Sequence, residues 1–144
     1  MIRTAAATIP RACALLALVV AITPLARADE PTPDAVGVTW EGRRLCEPVF
    51  EDAQIRVSRC TFPPGAIHKH HAHPGYLSYI LSGGKALLVD EHGSRQVDLA
   101  SDAVFPSKAI AWHEFTNVGN TTIRVLIVEK KYEPVAATGR QPFN

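Results

Sequence analysis

The chain has 144 residues, 47% of them hydrophobic, with 15 Lys+Arg against 14 Asp+Glu for a formal net charge of +1. That is enough for one domain with one core. There is no basic stripe and no run of like charge, which argues against a nucleic-acid partner.

Residues 1–28, MIRTAAATIPRACALLALVVAITPLARA, place Arg3 and Arg11 ahead of the apolar run 12–22, then Pro24 and an Ala-x-Ala site at 26–28. Spanning a bilayer takes about 20 apolar residues, so this shorter run reads as a cleaved secretory signal and not as an anchor. Cleavage after Ala28 removes three arginines and no acid, leaving 12 basic against 14 acidic residues. The expected product is a slightly acidic periplasmic or secreted protein with no membrane contact. Residues 29–37, DEPTPDAVG, read as a flexible leader, residues 38–133 as the folded domain, and residues 134–144 as an extended tail.

Within the domain, strand character appears at residues 38–40, 45–50, 55–62, 76–81, 85–89, 96–99, 103–105, 110–116 and 122–132. Turn sequences separate them: PPG at 63–65, SGG at 82–84, DEHG at 90–93 and NVGN at 117–120. Short strands at even spacing, without an amphipathic helix of three turns, predict an all-β sandwich or barrel. Alternation is cleanest in TIRVLIVEKKY, where Ile123, Val125 and Ile127 share one face and Arg124, Leu126 and Val128 the other. That pattern predicts a strand inside a sheet packed on both sides.

Two cysteines, Cys46 and Cys60, outlast the signal, and an oxidising compartment favours a disulfide between them. A turn centred on Ala53 sets them opposite each other in an antiparallel pair, at a Cα separation of about 4.5–5.5 Å that a disulfide can bridge. Two separate buried thiols are the alternative, since free cysteine is often buried. Metal ligation by this pair is disfavoured because a CxxC spacing is lacking.

The segment GAIHKHHAHPGYLSYILSGG holds His68, His70, His71 and His73 within six positions. In an extended chain His71 and His73 project together and His68 and His70 project to the other side. His113, in AIAWHEFTN, shares its face with Ala111 and Phe115 and is placed inward by those neighbours. Two imidazoles from one strand and a third from a distant strand can converge on a metal while leaving coordination positions open. His92 lies in the DEHG turn and reads as solvated. Tyr79, Phe105 and Phe115 are the expected aromatic walls of a pocket for a small, partly apolar molecule.

These spacings carry a resemblance. Gly65-x5-His71-x-His73-x3-Leu77-x6-Gly84 resembles the first cupin motif, and Pro106 with His113-x3-Asn117 resembles the second. HAHPGYLSYILSGGK is similar to small cupins of the quercetin-dioxygenase-like kind. The resemblance implies a double-stranded β-helix, or jelly-roll barrel. It also implies one divalent transition metal (Fe, Mn, Ni, Cu or Zn) on His71, His73 and His113, and a dioxygenase-like oxidoreductase acting on a small organic compound. A non-catalytic periplasmic module binding a metal or small ligand, and a metal-dependent isomerase or lyase, are the alternatives. Strand exchange in a homodimer is a further implication. In two respects the chain departs from the motifs: Leu77 stands where the family has a glutamate, and Lys108 replaces the glycine of the second motif, with a longer spacing to His113.

Overall fold

The computed structural model describes residues 31–135. The expected signal sequence and most of the expected tail lie outside them.

The described chain folds into β1 (Thr39–Trp40), β2 (Arg43–Arg44), β3 (Cys46–Glu51), β4 (Ile55–Phe62), β5 (Ile67–His73), β6 (Tyr76–Ser82), β7 (Gly84–Asp90), β8 (Gly93–Leu99), β9 (Val104–Ser107), β10 (Ile110–Asn117) and β11 (Ile123–Lys130). A short 3-10 turn, Ala35–Gly37, precedes them. β1 and β2 form a small ribbon; the other strands make a four-stranded sheet, β5-β10-β7-β8, and a five-stranded sheet, β3-β4-β11-β6-β9. Every pairing between strands is antiparallel. Chain neighbours such as β5 and β6 lie in opposite sheets, which makes the pair of sheets a jelly roll.

β11 is the central strand of the larger sheet. Its inward row, Ile123, Val125 and Ile127, is buried with Leu45, Phe62, Ile80 and Ala86. Its other row is less covered than the sequence suggests: Leu126 and Val128 are half-buried and Arg124 is exposed.

Cys46 and Cys60 are directly opposite in the β3–β4 ladder and form a disulfide, with a Cα separation of 4.0 Å. The turn-centred register is therefore right at the cysteines. Nearer the turn the ladder shifts by one residue between Pro48 and Phe50.

Two local features shape the chain around the site. Gly65 has φ +81°, a conformation open to glycine, and its N–H donates to the Asn117 carbonyl at 3.0 Å. Asn117 is buried; its Nδ2 donates to the carbonyls of Phe62 and Thr121, each at 2.8 Å, and its Oδ1 accepts from the Gly119 N–H at 3.0 Å. This one side chain ties the turn after β10 to the end of β4. Asn117→Ala should lower stability by about 2–3 kcal/mol, because buried carbonyls lose their donor. Urea unfolding at neutral pH measures it.

The β5–β10 ladder carries two compensating irregularities. Ile110 pairs with His73 and Phe115 with His68, but His113 pairs with His71. β10 thus has an extra residue between Ile110 and His113, and β5 has one between His68 and His71.

Candidate metal centre

His71 and His73 come from β5 and His113 from its neighbour β10, all in the four-stranded sheet. One nitrogen from each lies within 4.8 Å of the others. His71 Nε2 is 3.1 Å from His73 Nε2 and 2.9 Å from His113 Nε2.

The partners of the opposite ring nitrogens decide what these distances mean. His71 Nδ1 lies 2.6 Å from the Lys69 carbonyl oxygen, which can only accept, so the proton sits on Nδ1 and Nε2 keeps its lone pair. His73 Nδ1 likewise lies 2.6 Å from Glu129 Oε1. Burial alone would raise the Glu129 carboxyl, but hydrogen bonds from His73 and Arg56 outweigh it and hold Glu129 below its ordinary value. Glu129 is therefore a carboxylate and His73 the donor. Two bare lone pairs 3.1 Å apart cannot hydrogen-bond to each other; a shared cation removes the conflict. Nitrogens at about 2.0–2.1 Å from a metal and at right angles to one another are about 2.9 Å apart. The donor set fits a divalent transition ion.

Charge points the same way. Burial, followed by the neighbouring imidazoles, pushes His71 far below its ordinary value. Burial, then His73 and His68, lowers His113 to about 3. Burial lowers His68 to about 4 despite its hydrogen bond with Ala35. These rings are neutral at pH 7, which is the form that binds metal.

The same shifts predict acid sensitivity. An unfolded histidine takes a proton near pH 6.5, whereas His68 and His113 in the fold resist it until about 4 and about 3. Stability is therefore intact above about pH 6.5 and falls as pH drops toward those folded values, because the unfolded chain binds protons first. Urea unfolding of metal-free protein should show a loss on the order of 2–4 kcal/mol between pH 7 and pH 5. A flat profile would contradict the burial of neutral imidazoles.

The site's surroundings include a group that the sequence reading missed. Glu129 sits on β11, on the opposite sheet, 1% exposed. It bonds His73 on one oxygen, while its other oxygen accepts from Arg56 Nε on β4 at 2.5 Å. Glu129 continues the inward row of Ile123, Val125 and Ile127; carrying that alternation one step further along the strand would have found it. Arg56 also reaches the Asp34 carboxylate at 2.7 and 2.8 Å.

His68 corrects the simple two-face reading. The extra residue in β5 leaves Lys69 and His70 both exposed, so His68, His71 and His73 are all buried on the inner side. The His68 ring lies 3.8 Å from that of His71, and its Nε2 bonds the Ala35 carbonyl at 2.8 Å. His70 is outside, stacked on Trp112 with ring centres 4.6 Å apart. His92 is in the exposed turn after β7, as the sequence implies.

The three histidines line an interior cavity of about 510 Å³. Its apolar walls include Phe62, Ile80, Phe105, Phe115 and Val125, and its polar lining includes His68, Ser78 and Asp98. Phe105 and Phe115 both line this cavity. Tyr79 does not: it turns away from the cavity and its hydroxyl donates to Asp102 at 2.6 Å. Tyr79 shares the odd-numbered parity of His71 and His73, but that parity does not survive Pro74–Gly75, where the chain leaves one sheet for the other. Tyr76, Ser78 and Ile80 face the cavity instead, while Leu77 is exposed. No carboxylate of β6 joins the histidines, since both Leu77 and its inward neighbour Ser78 lack one.

Comparison with known proteins agrees with this architecture. The family model described as "Cupin domain" matches residues 58–129. A cupin domain from Bordetella pertussis Tohama I is similar in structure, with TM-score 0.57 and 21% identity over 69% of this chain and 96% of that one. A cupin superfamily protein from Desulfitobacterium hafniense DCB-2 is similar with TM-score 0.50 and 19% identity over 72% of this chain and 92% of that one. No curated protein matches the chain. With half its length matched by the family model, both sheets in jelly-roll order and the histidines of the two motifs gathered inside, the chain belongs to the cupin family.

Proposed function

We propose that the protein is an exported, metal-dependent enzyme, a dioxygenase-like oxidoreductase that acts on a small, largely apolar organic molecule. The observation that carries this reading is the convergence of three histidine nitrogens on one point in the wall of an apolar cavity.

A divalent transition ion held by His71, His73 and His113 would supply Lewis-acid polarisation of a chelating substrate and, if redox-active, electron transfer toward O₂. The chain's own residues set which molecule fits. Three neutral imidazoles cancel none of the ion's charge, so they favour a bidentate anionic head such as an enolate, catecholate or carboxylate. Phe62, Phe105 and Phe115 then receive an apolar body and exclude water from it. Among the described residues no lysine or arginine lines the cavity, and the nearby Arg95 is paired with Asp90, so the lining is poor in cations for a phosphorylated substrate. Burial raises the Tyr76 phenol, which keeps it protonated as a hydrogen-bond donor beside His73.

A second reading, a binding module without turnover, is favoured by the absence of a carboxylate among the three candidate ligands and by the resistance of buried His68 to accepting a proton. Anaerobic reconstitution with Fe(II), followed by oxygen uptake with catechol, flavonol and β-diketone compounds, separates the two. Oxygen consumption coupled to substrate loss is the expected result. Stoichiometric metal without turnover would support the module, and saturable binding of a sugar phosphate would contradict the pocket chemistry. Export is tested by intact mass of periplasmic protein, expected to start at or near Asp29; the disulfide is in keeping with an oxidising compartment.

A further inference from the structure

We infer that residues 33–38, the segment ahead of β1, are a working part of the metal centre, so that docking of this segment and loading of the metal strengthen each other. The inference rests on the three-histidine metal reading above.

The segment reaches the centre from two directions. The Ala35 carbonyl accepts from His68 Nε2 at 2.8 Å, and the His68 ring packs against that of His71 at a tilt of 31°, with ring centres 3.8 Å apart. The Asp34 carboxylate takes both contacts from Arg56 Nη2, Arg56 Nε holds Glu129, and Glu129 fixes the Nδ1–H of His73. One candidate ligand, His73, therefore has its far nitrogen set by Asp34 through Arg56 and Glu129, while a second, His71, whose far nitrogen bonds the Lys69 carbonyl, has its ring packed by the His68 that Ala35 holds. Groups on the far nitrogen of a ligating histidine set its ring orientation and basicity, and changing them typically alters metal affinity 10–100-fold.

The segment is held by few bonds of its own. Ala72 N–H donates to the Pro33 carbonyl at 2.9 Å, and Asp34 forms a single parallel bridge with Ala72, on the outer edge of β5. Ala35 and Val38 bury their side chains, while Asp34 remains half exposed. Such a unit can open without the barrel opening. If the docked segment tightens metal binding by some factor, the bound metal must tighten docking by the same factor.

Asp34→Ala tests this without touching any histidine. With Zn(II) competed against a chromophoric chelator, affinity should fall about 10-fold, toward the lower bound for an outer partner because the altered contact is half exposed. The visible spectrum of the Co(II)-loaded variant should shift, and Asp34→Asn, which keeps an oxygen for Arg56 and for the Val36 N–H, should recover part of both effects. Hydrogen exchange at the Ala72 and Gly37 amides should slow on adding Zn(II) to the wild-type protein and respond less in Asp34→Ala. Wild-type Zn(II) affinity in the variant, with amide exchange indifferent to Zn(II), would overturn the linkage and leave the metal reading standing. If the wild-type protein takes up no metal at all, the metal reading falls and the linkage falls with it. A melting temperature within a few degrees of wild type shows that the variant is folded.

Discussion

Replacing His71, His73 or His113 with alanine is expected to weaken binding of a divalent transition metal by more than about 100-fold, beyond the 10–100-fold typical of outer-shell changes. Each variant keeps at most two of three converging nitrogens, and neither the carboxylate-free β6 strand nor the outward His70 offers a replacement. His92→Ala, in an exposed turn, should bind as wild type does. Chelator competition with Zn(II) or Co(II) gives the numbers directly. His73→Ala should differ from the other two in a second way. It leaves the buried Glu129 with Arg56 as its one strong partner, so metal-free stability should also drop by about 2–4 kcal/mol. Unchanged metal content after substitution of all three histidines would refute the site.

Loss of the Cys46–Cys60 disulfide carries the next largest effect. The bond closes a loop with a sequence separation of 14, worth about 3 kcal/mol in the chain-entropy account. For a domain of this size that corresponds to a fall in melting temperature of roughly 12–20 °C. Its place in the fold limits how far the damage spreads. β3 is the outermost strand of the larger sheet, whereas β4 remains paired along its whole length with β11. Reduction should therefore free β3 while β4 continues to hold Arg56 against Glu129, and metal affinity should change less than 10-fold. Calorimetry and metal titration on a Cys46→Ala/Cys60→Ala variant check the two halves separately. A large loss of metal affinity without a thermal shift would reverse the assignment.

Most of the fold could be read from alternation and turn chemistry, because the sheets are antiparallel and their turns carry glycine, proline and asparagine. The segment 67–73 was missing from the expected strands, since HKHHAH shows no apolar alternation; it is held as a strand by its ladder with β10. The three converging histidines were legible through parity and motif spacing. Parity failed where the backbone breaks its period: at the extra residue in β5, which brings His68 inward, and at Pro74–Gly75, which turns Tyr79 outward. Glu129 was overlooked for a different reason. A carboxylate near a strand end looks like the start of the solvated region, and its partner Arg56 is 73 positions away in sequence.

The two extra residues in β5 and β10 behave like a vernier. Pairing sums are the same at both ends of the ladder and differ by one only where His113 meets His71. A short window of the sheet has been slid one notch while the frame on either side keeps its place. The outward His70 and Trp112 lie on these two irregular stretches, and their stacked rings clamp the slid window from outside. A length change in one strand alone would leave the ladder a notch out at one end. The lengths of two segments some forty positions apart in sequence are thus matched to each other around a single histidine pair, and a one-residue change in either would need a further bulge or a change in the adjoining turn to keep that pair in register.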